Sequence, residues 1–192
     1  MGTSAFLGIL CSVLAQDDAS HFPLNDGARW VYTCQESRYN TKIGEPGPPK
    51  EGPERVVQCA RGKDSTTLTP TGGKPVLVFV TRDGVYQNSV DPANLILKFP
   101  LKKFDDWGPG NAKNGLSRFV NHGQCEIEVA GAKRRCWKIT ETRSLLKLTM
   151  TSTRWYAPGI GLVYEESTEE RDGAVTKRVY ELETYEKQAT GK

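Results

Sequence analysis

The chain has 192 residues, enough for one domain with a sizeable core, because a chain of this size buries roughly two thirds of the surface that it would expose when unfolded. Its 26 Lys and Arg against 23 Asp and Glu leave a net charge of only +3, and so weak a field argues against nucleic acid as a partner. Aromatic residues at 9%, with 19 Gly and 11 Pro in short clusters, favour strands and turns over helices.

An apolar run over residues 5–15 is about as long as the core of a signal peptide and too short to span a bilayer. Val13 and Ala15 supply small residues before a cleavage site at Gln16. We therefore predict a signal peptide over 1–15, a single β domain over 16–192, and a periplasmic or extracellular location. No Lys or Arg precedes the run, so a buried N-terminal strand is the alternative.

Removal of that segment would leave four cysteines, an even number in an oxidising compartment, where disulfides are expected. If a hairpin pairs the strand that begins at Arg29 with the one that begins at Arg55, Cys34 lies opposite Cys59. The proline-rich segment between the two strands cannot continue a ladder.

A second hairpin, with its turn at Ala130-Gly131, sets Cys125 opposite Cys136. Opposed Cβ atoms on paired strands lie within reach of a disulfide, so we predict the bridges 34 to 59 and 125 to 136. Zinc is the weaker alternative, because no close Cys-x-x-Cys spacing is present and the chain has only two histidines.

Strands are predicted where β-rich runs are bounded by turn residues. They cover Arg29–Ser37, Arg55–Arg61, Ser65–Thr69, Val76–Thr81, Gly84–Val90, Leu116–Asn121, Arg134–Thr142, Leu145–Trp155 and Leu162–Glu170. Asp91-Pro92 is typical of the start of a helical turn, which we expect to run through Leu97. The predicted fold class is all-β and mainly antiparallel: a curved meander or half-barrel of about nine to eleven strands, with a sandwich as the alternative.

The last hairpin, which turns at Gly173, admits two registers. A three-residue loop places Glu166 opposite Arg178, whereas a two-residue loop places Leu162 opposite Glu183. Matched cross-strand pairs stabilise a sheet by a few tenths to about 1 kcal/mol each. We therefore predict the three-residue register, with Gly173 as a bulge.

Three stretches of the chain carry a resemblance. Phe22-Pro23-Leu24 followed by Trp30 recurs as Phe99-Pro100-Leu101 followed by Trp107, and residues 155–163 contain Ala-Pro-Gly-Ile-Gly-Leu-Val. Together they resemble uncharacterised exported bacterial proteins, including the TapB-like ones, whose fold is similar to that of LolA- and LolB-type lipoprotein carriers. The resemblance implies a curved antiparallel half-barrel, sometimes lipid-facing, in the periplasm or at an outer surface. It implies no catalytic residues.

The residues offer no catalytic constellation. We expect His21 and His122 to be solvated, the second in a turn, and neither adjoins a nucleophile elbow. Asp105-Asp106 beside Trp107 is a carboxylate pair next to an aromatic ring, but neighbouring strand residues face opposite sides, so we expect solvated acids in a loop. We predict no catalytic residues, no cofactor and no metal.

Two charged runs have plain structural interpretations. The acidic run 165–170 lacks the spacing of a calcium loop, and we expect Lys177 and Arg178 to balance it across the hairpin. The basic run 133–135 could contact anionic headgroups, but we expect a solvated hairpin tip.

The leading hypothesis is a non-enzymatic, monomeric, exported protein that binds a lipid or another apolar small molecule. The predicted ligand-facing residues are Trp30, Tyr32, Trp107 and Trp155. The alternative is a structural module of a cell-envelope assembly, with a filled core and a protein partner. A hydrolase is third and requires His122 within hydrogen-bond reach of a serine in a cleft. Periodicity does not distinguish a filled core from a cavity, because both use the same apolar residues.

Overall fold

The computed structural model describes residues 20–41, 47–108 and 114–187, and for residues 114–116 it describes the backbone alone. The predicted signal peptide and its cleavage site lie outside the described residues. In this part of the chain no helix is both long enough and apolar enough to cross a membrane.

The described strands form one continuous, curved, antiparallel sheet, which confirms the predicted all-β half-barrel and contradicts the sandwich. Alternation of apolar and polar residues gives most strands one buried face. The strands are β1 (Arg29–Asn40), β2 (Lys50–Glu51), β3 (Arg55–Arg61), β4 (Thr66–Pro70), β5 (Val76–Thr81), β6 (Gly84–Gln87), β7 (Leu95–Lys98), β8 (Asp106–Trp107), β9 (Asn114–Val129), β10 (Ala132–Leu145), β11 (Leu148–Ala157), β12 (Gly161–Arg171) and β13 (Ala174–Glu186).

The sheet consists of two meanders joined side by side, in the order β7-β6-β5-β4-β3-β1-β13-β12-β11-β10-β9-β8, with β2 paired to β1 off this path. Its two edge strands, β7 and β8, are consecutive in the chain, so the segment 99–105 joins the two edges. Phe99 N–H donates to the Asp83 carbonyl at 2.9 Å, and Phe104 N–H donates to the Asn121 carbonyl at 2.7 Å. The curved sheet is therefore nearly closed.

The N-terminal segment 20–28 is fastened to the sheet by its backbone. Gly159 N–H donates to the Ser20 carbonyl at 2.8 Å, and Gly27 N–H donates to the Cys59 carbonyl at 2.9 Å. Between these two bonds, Phe22 packs with its ring centroid 6.1 Å from that of Tyr156. The segment thus covers part of the interior that the curved sheet leaves open.

The three-residue register of the last hairpin is wrong. Arg171 pairs with Ala174, and Glu166 lies opposite Val179 rather than Arg178. The turn consists of Asp172 and Gly173 alone, and both have left-handed φ angles, 51° and 84°. Two consecutive left-handed residues form the hairpin turn whose twist matches the strands, so this turn sets the register more strongly than the side-chain pairs do.

The predicted opposition of Cys34 and Cys59 is also wrong. β1 pairs with β3 from Arg29 opposite Gln58 to Tyr32 opposite Arg55, so Cys59 lies beyond one end of the ladder and Cys34 beyond the other. The reason is β2, which pairs with the later part of β1 and places Gly52 against Cys34. The connection is not the simple hairpin that the prediction assumed.

Cys125 does lie opposite Cys136, which confirms the predicted register and the turn at Ala130-Gly131. The four cysteines of the described part are free thiols in this structure. Counting from the two-residue turn, this pair occupies a hydrogen-bonded position of the ladder, where opposed side chains are farther apart than in the alternate positions. The 125 to 136 bridge therefore stays a prediction.

Two further local predictions are corrected. His122 does not lie in a turn but is the extra residue of a bulge inside β9, because Gly123 pairs with Lys138 and Asn121 with Ile139. Gly123 has a φ of 94°, which such a bulge requires.

The predicted helical turn is shorter than expected. Asp91 caps a 3-10 turn over Pro92–Asn94, and its side chain accepts from Ala93 N–H at 2.7 Å. Leu97 belongs to β7, where it is almost fully buried. Pairing with β6 gives residues 95–98 a partner for their backbone groups, which outweighs continuation of the turn.

Candidate functional site

The concave side of the sheet holds a cavity of about 380 Å³ that is partly open to solvent. Most of the side chains around it are apolar, and the charged ones come from β3, β10, β11 and β12. The cavity is lined by Phe22, Pro23, Leu24, Trp30, Tyr32, Arg55, Val57, Leu68, Pro70, Val76, Val78, Gln87, Ile96, Glu141, Arg154, Tyr156, Gly161, Leu162 and Glu165.

One part of this lining, which we call the apolar wall, comes from β4, β5 and β7. It consists of Leu68, Pro70, Val76, Val78 and Ile96. Val78 is 2% exposed, whereas Leu77, its neighbour in β5, is 42% exposed because it points to the outer face. Strand alternation therefore gives the cavity an apolar surface, to which β6 adds the polar side chain of Gln87, opposite Val78.

The opposite part of the lining is polar, and two further side chains, Tyr180 and Ser117, contact it from outside the lining. We call the whole set the polar row. It crosses seven neighbouring strands and consists of Arg55 (β3), Tyr32 (β1), Tyr180 (β13), Glu165 (β12), Arg154 (β11), Glu141 (β10) and Ser117 (β9). Each strand contributes one side chain. Together these residues bring two guanidinium groups and two carboxylates to one face of the sheet.

Glu165 is at the centre of the polar row. Its carboxylate accepts from Arg154 Nε at 2.9 Å through one oxygen and lies 2.8 Å from Arg55 Nη1 through the other. The Glu165 side chain is only 7% exposed, so two cations hold a buried anion. Arg154 also donates from Nη1 to Glu141 at 2.7 Å, and the second Glu141 oxygen accepts from the Ser117 hydroxyl. The ion pairs form one network rather than separate bridges.

Arg55 is held between aromatic rings. Its guanidinium carbon lies 3.9 Å from the ring centroid of Tyr180 and 4.8 Å from that of Tyr32. Only Nη1 is used in the ion pair with Glu165, and Nε and Nη2 are buried without a hydrogen-bond partner among the described residues. Arg55, which lines the cavity, therefore has N–H donors that these residues leave unpaired.

The electrostatics keep the network ionised. Burial by itself raises the pKa of Glu165, but attraction to Arg154 and Arg55 more than offsets this and leaves the pKa below the ordinary value of 4.5. Burial raises the pKa of Tyr156 to about 12, with a smaller opposing effect of Arg154. At neutral pH Glu165 is therefore an anion and Tyr156 a neutral phenol.

Two of the four predicted ligand-facing residues line the cavity. The Trp30 indole donates to the Ile160 carbonyl at 2.7 Å, and the Tyr32 hydroxyl donates to the Leu162 carbonyl at 2.9 Å. Residues 160–162 belong to the Ala-Pro-Gly-x-Gly-Leu-Val stretch, which thus fixes both rings.

The other two predicted residues pack elsewhere. Trp107 stacks on Phe119 at 5.5 Å, and Trp155 makes an edge contact with Tyr164 at 5.1 Å, and neither lines the cavity. Both look equivalent to Trp30 in the sequence, because a tryptophan in a strand gives the same pattern whichever face of the sheet it packs on.

The catalytic alternatives do not meet in the cavity. His21 is buried rather than solvated. His122 is exposed, and its Nε2 lies 2.9 Å from the Thr140 hydroxyl, not near a serine in a cleft as the hydrolase hypothesis required. Asp105 pairs with Lys98, and Asp106 pairs with Arg118. Nowhere in the described ranges are three His, Cys, Asp or Glu side chains placed to hold a metal ion.

The predicted charge pairing of the acidic run 165–170 is only partly correct. Arg178 contacts Glu169, as expected across the hairpin, although its shorter bond is to Glu36 at 2.6 Å. Glu165 was expected to be balanced in the same way, but it is buried and paired with Arg154 and Arg55 from other strands. The signal for this was the position of Glu165 on the inward face of β12, two residues after the buried Val163 and before acids that are less buried.

Comparison with known proteins finds no matching family model and no matching curated protein. Among solved structures, a Bacteroides fragilis protein with a YmcC-like fold is 14% identical, with a TM-score of 0.45 over 86% of this chain and 98% of that one. The hypothetical lipoprotein YmcC from Escherichia coli is 9% identical, with a TM-score of 0.34 over 94% and 97%. A LolA superfamily protein from Nitrosomonas europaea is 9% identical, with a TM-score of 0.22 over 94% of each chain.

At these identities and TM-scores, the similarities carry no argument about function. The resemblance to TapB-like and LolA-type proteins stays a prediction.

Proposed function

We propose that the chain is an exported binding protein that holds one apolar small molecule, such as a single acyl chain, in the cavity of its curved sheet. The observation that carries the proposal is the cavity of about 380 Å³ between the apolar wall and the polar row. A pocket that is mainly apolar, with a few convergent polar groups, is the usual form of a small-molecule site.

The size of the cavity limits the ligand. Small-molecule sites commonly enclose about 300–1,000 Å³, and this one is at the lower end of that range. One chain or a compact molecule of similar bulk fits such a space, whereas a lipid with several chains would leave much of its surface in water. The hydrophobic effect provides the binding energy, roughly in proportion to the apolar area removed from water.

The proposed role is non-enzymatic and outside the cytoplasm. The apolar run over residues 5–15 supports export. The alternative of an envelope module predicts a filled core and a protein partner, so the cavity favours the binding role over it.

Filling the cavity tests this function directly. Val76→Trp places a large side chain in the apolar wall at a partly buried position, and Leu77→Trp places the same side chain on the outer face of the same strand. We expect the uncharged fluorescent probe N-phenylnaphthylamine to bind the wild type and Leu77→Trp alike, and to lose about tenfold or more in affinity for Val76→Trp. Equal affinity of both variants, or no binding by the folded wild type, would contradict the proposal.

A further inference from the structure

The polar row lies where the polar end of a bound ligand would meet charged side chains. The inference drawn from it rests on the proposed function. We propose that the cavity selects an amphiphile whose polar end is an uncharged hydrogen-bond acceptor, such as an ester or amide carbonyl, over one that ends in a carboxylate or an ammonium group.

The first observation is charge balance. Arg55 and Arg154 contribute two positive charges, and Glu165 and Glu141 contribute two negative charges, so the formal sum of the four groups is zero. Their side chains are between 7% and 25% exposed. A charged ligand head would therefore add an unbalanced charge to a site with little water, which carries a desolvation cost.

The second observation is unused donors. In the part of the chain that the structure describes, Nε and Nη2 of Arg55 are buried without a hydrogen-bond partner, although an arginine has five N–H donors. The ion pair with Glu165 uses Nη1 alone. A buried donor without a partner is costly, and an acceptor supplied by a ligand would remove that cost without changing the charge sum.

The third observation is the rigidity of Arg55. Tyr180 and Tyr32 contact the guanidinium at 3.9 and 4.8 Å, and Tyr32 is itself fixed by its bond to the Leu162 carbonyl. The planar group is thus held in one orientation before the ligand arrives. Because Arg55 lines the cavity together with Trp30 and Leu162, an acceptor on Arg55 leaves the rest of the ligand against apolar side chains.

Three ligands with the same chain length test this selection: glycerol monolaurate, laurate and dodecylamine, which are neutral, anionic and cationic at neutral pH. Each competes with N-phenylnaphthylamine. We expect the ester to bind about tenfold or more tightly than either charged ligand. Equal affinities, or tighter binding of laurate, would overturn this inference while leaving the proposed function intact. If none of the three displaces the bound probe, this inference falls, and the comparison of Val76→Trp with Leu77→Trp still decides the proposed function.

A conservative variant tests the role of Arg55. Arg55→Lys keeps a cation for Glu165 but removes the Nε and Nη2 donors. We expect the affinity for glycerol monolaurate to fall about tenfold, while binding of N-phenylnaphthylamine changes less than about twofold and so shows that the cavity is intact. Arg29→Lys is the matched control, since Arg29 pairs with Glu186 outside the cavity lining. An unchanged affinity for the ester in Arg55→Lys would overturn the assignment.

Discussion

The apolar wall and the polar row face the same cavity but are built in different ways. The wall comes from residues 68–96, which lie on strands joined by short connections. The row comes from residues 32–180, and Arg55 and Tyr32 reach its other five members only when β1 pairs with β13 and joins the two meanders. The members of the wall pack against one another without charges, whereas each charge in the row relies on its neighbours. Substitutions in the row should therefore be coupled more strongly to one another than to substitutions in the wall.

The largest effect is expected at the centre of the row. Glu165→Gln removes the anion that balances Arg55 and Arg154 and leaves two partly buried cations together. Breaking a buried ion pair in this way costs about 3–5 kcal/mol of unfolding free energy, measurable by urea denaturation. Asp106→Asn is the control, because its pair with Arg118 is more than half exposed, and we expect a change under about 1 kcal/mol. Similar losses of unfolding free energy in Glu165→Gln and Asp106→Asn would contradict the expected difference between a buried and an exposed ion pair.

A smaller effect is expected in the wall. Val78→Ala removes two methyl groups from a side chain that is 2% exposed, which costs about 2 kcal/mol through lost burial and the enlarged cavity. Val80→Ala, on the same strand at 43% exposure, should cost under about 1 kcal/mol. In the double variant with Glu165→Gln, the loss of unfolding free energy should equal the sum of the two single losses. A strong departure from that sum would show that the wall and the row are coupled.

The row should also make stability depend on pH in the acid range. The pKa of Glu165 is lower in the folded protein than the ordinary value of 4.5, so the unfolded chain binds the proton more readily. The stabilisation is present above pH 4.5 and is lost as the pH falls through the folded pKa. Urea midpoints should therefore drop below pH 4.5 more steeply in the wild type than in Glu165→Gln. Parallel curves for the two proteins would argue against Glu165 as the titrating group.

The smallest effect on the cavity is expected from the Cys125–Cys136 pair, which belongs to neither region. If the thiols join under oxidising conditions, the intact mass falls by two hydrogen atoms and the urea midpoint rises, because the bond restricts the unfolded chain. Ligand affinity should not change. A bridge that involves Cys34 or Cys59 instead would contradict the register of β1 and β3.

The sequence predicted what depends on local rules. Ala130-Gly131 gave the correct hairpin register, and Asp91 was correctly identified as a cap. The errors arose where the pairing of strands distant in sequence determines the structure. Pairing of β2 with β1 keeps Cys34 away from Cys59. Pairing with β10 continues β9 through the bulge at His122, where the local sequence pattern predicted a turn. At Asp172-Gly173, the left-handed backbone conformation of the turn determines the hairpin register, whereas the prediction had relied on matched side-chain pairs.

The candidate site was predicted only in part. Trp30 and Tyr32 were found because inward aromatic residues on a strand are visible as alternation. The polar row was missed, because its seven members come from seven strands and no stretch of sequence contains more than one of them. The repeated Phe-Pro-Leu motif shows the same limit: Phe22 lines the cavity, while Phe99 belongs to the segment that joins the sheet edges.

The tryptophan indoles report most directly on whether the ligand occupies the cavity. Of the four tryptophans, Trp30 lines the cavity, and Trp107, Trp137 and Trp155 do not. In a proton–nitrogen correlation spectrum titrated with glycerol monolaurate, the Trp30 indole signal should shift in a saturable way while the other three stay in place. A saturable shift confined to Trp107 or Trp155, or a spectrum that does not change at all, would contradict the account.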